Sequence, residues 1–277
     1  MKRSIGLFVL LLPCLIILSF APETYGGFSL GISPVRWEAE GRPGDTLRNV
    51  VTLNSGTRAI QKVVINAGYW TLNEAGAPVF DRPATMPNSA ASWVRFHPQE
   101  VTVYPRQRKT VRISIRIPEE TPSGSYLVAL FFQPPAEEQA GESGAATVFI
   151  RGRLALPIYV RVGDARPNGK ILEAAWKTLD GKGQLPALKV NNQGNAHLRM
   201  NGFFSAHSSS GAKFEGIVPG LPLLPGQTCW IPLEFQGEKP PPGSELELTL
   251  RIDLGEGERK VTMKVPRAVD NPNKGKL

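Results

Sequence analysis

Apolar and polar residues alternate one by one along much of this chain, in runs cut by Gly- and Pro-rich turns. In residues 110–117, Val111, Ile113, Ile115 and Ile117 take every second position, with Thr110, Arg112, Ser114 and Arg116 between them. Residues 245–254 repeat the pattern with Leu246, Leu248, Leu250, Ile252 and Leu254. An extended backbone sends successive side chains to opposite faces, so such runs predict strands with one face buried and one wet. Residues 126–132 are apolar throughout and read as a strand buried on both faces. Beyond residue 27 no segment keeps a helical period between its breaks. Gly 28 and Pro 25 in 277 residues supply turns, well above average usage of roughly 12% for the two together. They fall short of low-complexity density, and no Gly-X-Y period exists. The expected class is all-β.

The alternating runs occur in two related sets. Pro105-Arg106-Gln107 leads into the strand ending at Ile117, and Pro122-Ser123-Gly124-Ser125 follows it. Pro225-Gly226-Gln227 leads into a strand ending at Phe235, and Pro242-Gly243-Ser244 follows. The prolines are 17 residues apart in each set. Upstream, Leu53-Asn54-Ser55-Gly56 and Asn191-Asn192-Gln193-Gly194 each form a polar turn after a strand. About seven short strands per half, spaced 8–12 residues, predict two tandem immunoglobulin-like β-sandwiches. The expected boundaries are 27–163 and 169–266, with a linker at 164–168 and a disordered tail at 267–277.

The N-terminal end reads as an address. Lys2 and Arg3 precede an apolar stretch over residues 5–20, and the small-residue exit Ala21-Pro22-Glu23-Thr24-Tyr25-Gly26 follows. That order predicts a secretory signal peptide over residues 1–26. Its apolar part falls short of the roughly 20 residues that span a bilayer comfortably. Cys14 has Leu15-Ile16-Ile17 after it, so the apolar run continues past any cut there, and lipidation is not expected. The expectation is a protein exported out of the cytoplasm, without stable membrane insertion. Removing residues 1–26 takes Lys2, Arg3 and Glu23 from a formal net charge of +8 and leaves +7.

Little catalytic chemistry fits. Cys229 is the one thiol left after residue 26, so an internal disulfide is excluded, and no zinc spacing occurs. His97, His197 and His207 stand on turn-like or polar segments without a ligand-spaced Cys, Asp or Glu. There is no Gly-x-Ser-x-Gly elbow and no phosphate loop. The basic residues are dispersed and do not alternate with aromatics, which argues against nucleic acid. The expectation is a non-enzyme without cofactor or metal. Trp70 and Trp93 read as core aromatics, and Cys229 as a buried small hydrophobe.

The last strand of the first half is expected over residues 146–162. Val148, Ile150, Leu154, Leu156, Ile158, Val160 and Val162 share one face, with a gap at Gly152; Arg151, Arg153, Ala155 and Tyr159 share the other. Pro157 cannot donate to a ladder, which predicts a sheet edge there. The polar, acidic residues 133–144 precede it, as a flexible connector or as a clamp that orders on binding.

Residues 29–163 resemble the PapD-like periplasmic chaperones of the chaperone–usher pathway, in particular the divergent branch whose last strand carries a Leu-Pro-Ile-aromatic motif. The residues concerned are Ile32-Ser33-Pro34-Val35-Arg36, Tyr69-Trp70-Thr71-Leu72-Asn73, Trp93-Val94-Arg95-Phe96-His97-Pro98, Val103-Tyr104-Pro105, Val111-Arg112-Ile113 and Arg153-Leu154-Ala155-Leu156-Pro157-Ile158-Tyr159. Residues 169–266 match only as a generic sandwich. The resemblance implies a chaperone of secreted pilus or fimbrial subunits that lends an edge strand to its client. Val148, Ile150 and Leu154 would be the lent side chains. Arg36 and Arg153, with Arg151 in reserve for the second position, would grip the client's C-terminal carboxylate. Arg112 would be a buried inter-domain arginine. An outer-membrane usher and a self-capping dimer are further partners the family suggests. The same residues also fit a non-catalytic adhesion or scaffold module. Arg36 and Arg153 would then be ordinary edge charges, and the alternating row a closed core.

Overall fold

The computed structural model describes residues 30–56, 58–73, 76–82, 86–135, 152–179 and 183–267. The expected signal peptide, Val148, Ile150 and Arg151 lie outside these residues, as does most of the expected tail. The first unit contains β1 (Leu30–Ser33), β2 (Trp37–Gly41), β3 (Thr46–Ser55), β4 (Gln61–Leu72), β5 (Pro78–Arg82), β6 (Val94–His97), β7 (Glu100–Val103), β8 (Arg108–Arg116), β9 (Gly124–Gln133) and β10 (Leu154–Val162). These form a four-stranded sheet, β1-β3-β8-β6, facing a six-stranded one, β2-β10-β9-β4-β5 with β7 on β4.

Period two decides which side chains meet between these sheets. Val111, Ile115 and Ile117 are fully buried and Ile113 nearly so, while Arg112 and Arg116 on the same strand are exposed. Leu156, Ile158, Val160 and Val162 of β10 close the core from the other sheet. Each such side chain contributes about 1.5–3 kcal/mol by leaving water. Residues 127–132 of β9 are all buried, as their unbroken apolar run predicts. One face belongs to the sandwich core, and Leu127, Ala129 and Phe131 belong to a second apolar cluster outside it.

The second unit contains β11 (Gly169–Leu179), β12 (Gly183–Asn192), β13 (Leu198–Arg199), β14 (Asn201–Ser208), β15 (Lys213–Val218), β16 (Pro222–Leu223), β17 (Thr228–Pro232), β18 (Glu234–Phe235), β19 (Leu246–Asp253) and β20 (Glu258–Val265). A three-stranded sheet, β11-β12-β17, faces a five-stranded one, β18-β15-β14-β19-β20, with β13-β16 as a short ribbon. Leu246, Leu248, Leu250 and Ile252 are fully buried, as their alternation predicts, and Cys229 lies in the same core. The chain is all-β, two tandem immunoglobulin-like sandwiches. Among the described residues no helix is long and apolar enough to cross a membrane.

The joint is strapped by the second unit's Asn-rich turn. Asn192 is fully buried; its amide donates to the Ala196 carbonyl at 2.8 Å and the Leu223 carbonyl at 3.1 Å. Its Oδ1 accepts from the backbone N–H groups of Gly194 and of Asn168 in the linker. Asn195 Oδ1 accepts from Arg166 N–H at 2.8 Å. The sequence marks this stretch as a polar turn; its amides hold the linker to the second sandwich.

Candidate functional site

The first strand of the chain changes sheets. β1 pairs with β3 in the four-stranded sheet, and β2 pairs with β10 in the six-stranded sheet. Pro34 sits in the crossover, where it has no N–H to offer either sheet. β9 accompanies β10 along its whole length, Leu154↔Phe132 to Val162↔Gly124. β2 accompanies it, in parallel, only from Ile158↔Trp37 to Val162↔Gly41. Residues 154–157 therefore have no strand on that side among the described residues. Pro157 stands where the pairing stops, as its missing N–H predicts.

Arg36 immediately precedes β2, so the register places it level with Pro157. Arg153 is four residues further up, roughly 13 Å along the strand at extended spacing. The structure thus sets the two arginines at separate levels of one edge. Arg36 is half exposed and its Nε donates to Glu38 Oε1 at 3.0 Å. Arg153 is exposed and stacks over Phe131 at 4.7 Å and Phe80 at 5.8 Å. Leu154 is half buried against the first core. Val35, next to Arg36, is 68% exposed, which leaves an apolar side chain at the end of the open edge.

The outer face of the six-stranded sheet meets the second sandwich. Tyr69, Trp70, Leu72, Leu127, Ala129, Phe131 and Tyr159 cluster there with Leu224 from the second unit. Trp70 is buried, its Nε1 donating to the Val128 carbonyl at 3.0 Å and its ring meeting Tyr159 edge-on at 5.0 Å. Trp93 is half buried against the first core.

The polar part of this contact was not legible in advance. His197 lies on a polar segment but is 8% exposed. Its ring stacks on Tyr159 at 4.5 Å. Its backbone N–H donates to Ser125 Oγ at 2.8 Å, and that hydroxyl is 3.0 Å from Nδ1. That hydroxyl can donate to Nδ1 or accept from it while it accepts the backbone N–H, so the pair satisfies either tautomer of the ring. Burial, with the charges of Arg161 and Arg199 and against that of Glu38, holds the His197 pKa down to about 4. The ring is neutral at pH 7.

Glu38 Oε1 accepts from Arg199 Nε at 2.7 Å as well as from Arg36. Burial pushes the Glu38 carboxyl up. The hydrogen bond and charge of Arg199, aided by His197 and Arg36, outweigh it and leave the pKa below its ordinary value. Arg161 pairs with Glu40, its cross-strand neighbour. Glu38, Glu40, Arg161, His197, Arg199 and Asp253 line a cleft of about 230 Å³ between the sandwiches. Alternation along β2 puts Glu38 and Glu40 on one face, a signal available in the sequence; nothing local pairs them with Arg199.

Arg112 is not at this interface. It is exposed on β8 in the opposite, four-stranded sheet, level with Val50 and His97. Period two sends it outward there, and the sheet it belongs to faces away from the second sandwich. Arg161 and Arg199 are the arginines between the units. Among the described residues no three His, Cys, Asp or Glu side chains converge as metal ligands.

No protein-family model and no curated protein matches this chain. Pilus chaperones are among the solved structures similar to it. The class 5 fimbriae chaperone CfaA is 12% identical, with a TM-score of 0.45, over 87% of this chain and 100% of its own. The Pseudomonas aeruginosa CupB2 chaperone is 12% identical, with a TM-score of 0.42, over 86% of this chain and 100% of its own. A chain from the complex of the Salmonella enterica SafA pilin with the SafB chaperone is 13% identical, with a TM-score of 0.41, over 86% and 96%.

Proposed function

We propose that this protein is a periplasmic chaperone that holds secreted pilus-type subunits by strand addition to the open edge of β10, before handing them to an outer-membrane usher. One observation carries the reading: β2 covers the lower half of the β10 edge and, among the described residues, leaves 154–157 without a strand on that side. A client strand laid there would continue the line of β2. If it runs parallel, as β2 does, its C-terminal end arrives just ahead of Trp37, beside Arg36. A guanidinium grips a carboxylate with two charge-assisted bonds, and the client's last residue ends in one. Arg36 is then the terminal anchor, and Arg153, or Arg151, flanks the lent strand higher up. Val148, Ile150 and Leu154 share one parity with the buried row of β10 and would fill the client's groove. Each would contribute about 1.5–3 kcal/mol, and each ladder bond roughly 0.5–1.5 kcal/mol.

The test is a pull-down of the tagged protein from its host's periplasm, read by mass spectrometry beside the Arg36→Glu/Arg153→Glu variant with its fold checked by circular dichroism. A small secreted β-protein near one-to-one with wild type, and missing from the variant, supports the reading. The same partner with both proteins, or none with either, favours an adhesion or scaffold module.

A further inference from the structure

The face of the first sandwich turned away from the second unit carries charge of one sign. The strands of the four-stranded sheet, LGIS, TLRNVVTLNS, VRFH and RKTVRISIR, contain no Asp or Glu. Their outward positions hold Arg48, Arg95, Arg108, Arg112 and Arg116, all exposed. Arg116 has Glu119, from the following turn, 4.0 Å away, and Arg95 donates to the Ser92 and Val94 carbonyls. The register sets Arg48, Ser114 and Arg95 in one row and Val50, Arg112 and His97 in the next. The basic strip runs roughly 27 Å along β8 and roughly 10 Å across three strands.

Two depressions lie in series along it. One, about 460 Å³, has Arg48, Arg95 and Arg112 around Val50. The next, about 470 Å³, is lined by Ser33, Thr52, Asn54, Arg106, Gln107 and Arg108. Arg106 holds a φ of 61°, in the left-handed region where only Gly sits without strain. The matching turn of the second sandwich places Gly226 there, with a φ of 77°. Both turns close alike, Gln107 N–H to the Tyr104 carbonyl at 3.0 Å and Gln227 N–H to the Leu224 carbonyl at 3.1 Å. The first sandwich thus keeps an arginine where its own repeat uses the relaxed residue.

We infer that this strip is a binding site for an acidic polysaccharide. Guanidinium groups match carboxylate or sulfate groups bidentately. The hydroxyls and amides between them match a hydroxylated backbone. The strip's length and narrowness suit an extended chain better than a bilayer, which would use a broad basic area. Nucleic acid would call for several stacking aromatics among the charges, and the outward positions of these strands hold no Phe, Tyr or Trp. The site lies on the sheet opposite the β10 edge and does not rest on the chaperone reading.

The test measures retardation of the purified protein in gels containing polygalacturonate or dextran sulfate, with dextran as the neutral control. Arg48→Ser/Arg112→Ser is run beside Lys260→Ser/Lys264→Ser, which removes the same charge from exposed positions on β20. Arg108→Ser/Arg116→Ser is the second strip variant, and thermal melts identify any that misfold. The expected result is retardation by an acidic polymer but not by dextran, weakened about tenfold or more in either strip variant and unchanged in the β20 variant. The salt slope should fall by about two, one for each lost contact. Equal weakening by the β20 variant makes the effect one of net charge and overturns the inference. So does binding to phosphatidylglycerol vesicles that depends on the strip arginines while polymer binding does not.

Discussion

Glu38 and Arg199 are 161 residues apart in sequence, and Arg199 Nε donates to Glu38 Oε1 at 2.7 Å. That oxygen also accepts from Arg36, so one carboxylate ties the end of the open edge to the second sandwich. Arg199 also donates to the Gly220 carbonyl at 2.7 Å and lies 5.5 Å from the Tyr159 ring centre. Glu38→Ala should leave two guanidinium groups without their shared partner. The pair is partly solvated, so a cycle with Arg199→Ala in urea unfolding should give a coupling of about 0.5–1 kcal/mol. A coupling of zero would mean that the apolar cluster around Trp70 and Leu224 holds the units together without help from this pair.

Acid should loosen the joint. His197 has an ordinary pKa of 6.5, lowered to about 4 when buried here, so between those values the unfolded chain binds a proton that the folded chain refuses. Stability is then complete above pH 6.5 and falls as pH drops toward 4, by at most ~3 kcal/mol. Glu38, its pKa also lowered, loses its contribution on the same side, as pH falls below its unfolded value. Urea midpoints measured from pH 7.5 to 4 should decline in wild type and decline less in His197→Gln. Parallel curves for the two proteins would remove His197 as the cause.

The contrast between Ile113 and His197 explains what the sequence could carry. Ile113 belongs to a strand whose neighbours at two-residue spacing share its burial, so its environment is encoded within a few positions. The same holds for Leu248 and for the edge at Pro157. His197 owes its burial to Tyr159 and Ser125, far off in the chain, and no local pattern distinguishes it from a surface histidine. Arg112 marks the intermediate case. Alternation correctly turns it outward, but which of two sheets it lies on depends on strand order. That order follows from how β1 and β2 divide between the sheets, a tertiary choice.

Gly194 should not tolerate a side chain. A Cβ there would lie 2.2 Å from the Arg166 carbonyl oxygen and 2.6 Å from Asn168 N, both backbone atoms of the linker region. Gly194→Ala must displace that backbone and break into the Asn192 and Asn195 bonds that strap it. The expected loss is about 1–3 kcal/mol, read as a lower melting temperature. A melt matching wild type would show that the linker shifts at no cost.

Cys229 should be inert while the protein is folded. It is 3% exposed, and burial pushes its thiol pKa up, so little thiolate forms near neutral pH and reagents cannot reach it. Labelling with an aromatic disulfide at pH 8 should proceed only in denaturant. Rapid labelling in buffer would mean that β12 and β17 open on the timescale of the assay.

The sharpest prediction concerns which arginine meets the client's end. On the proposed reading, a client strand that runs parallel to β10, as β2 does, would end beside Arg36, while Arg153 stands roughly 13 Å away along the edge. A peptide with alternating apolar residues and a free C-terminal carboxylate should bind more tightly than the same peptide amidated. A charged hydrogen bond is worth about 1.5–3 kcal/mol, a difference of roughly 10–100-fold. Arg36→Ala should abolish that difference by weakening only the carboxylate form. Arg153→Ala should weaken both forms alike, because its guanidinium flanks the lent strand and lies far from the terminus. If Arg153→Ala instead removes the carboxylate preference, the client strand runs antiparallel or in a shifted register, and Arg36 is left as the partner of Glu38 alone.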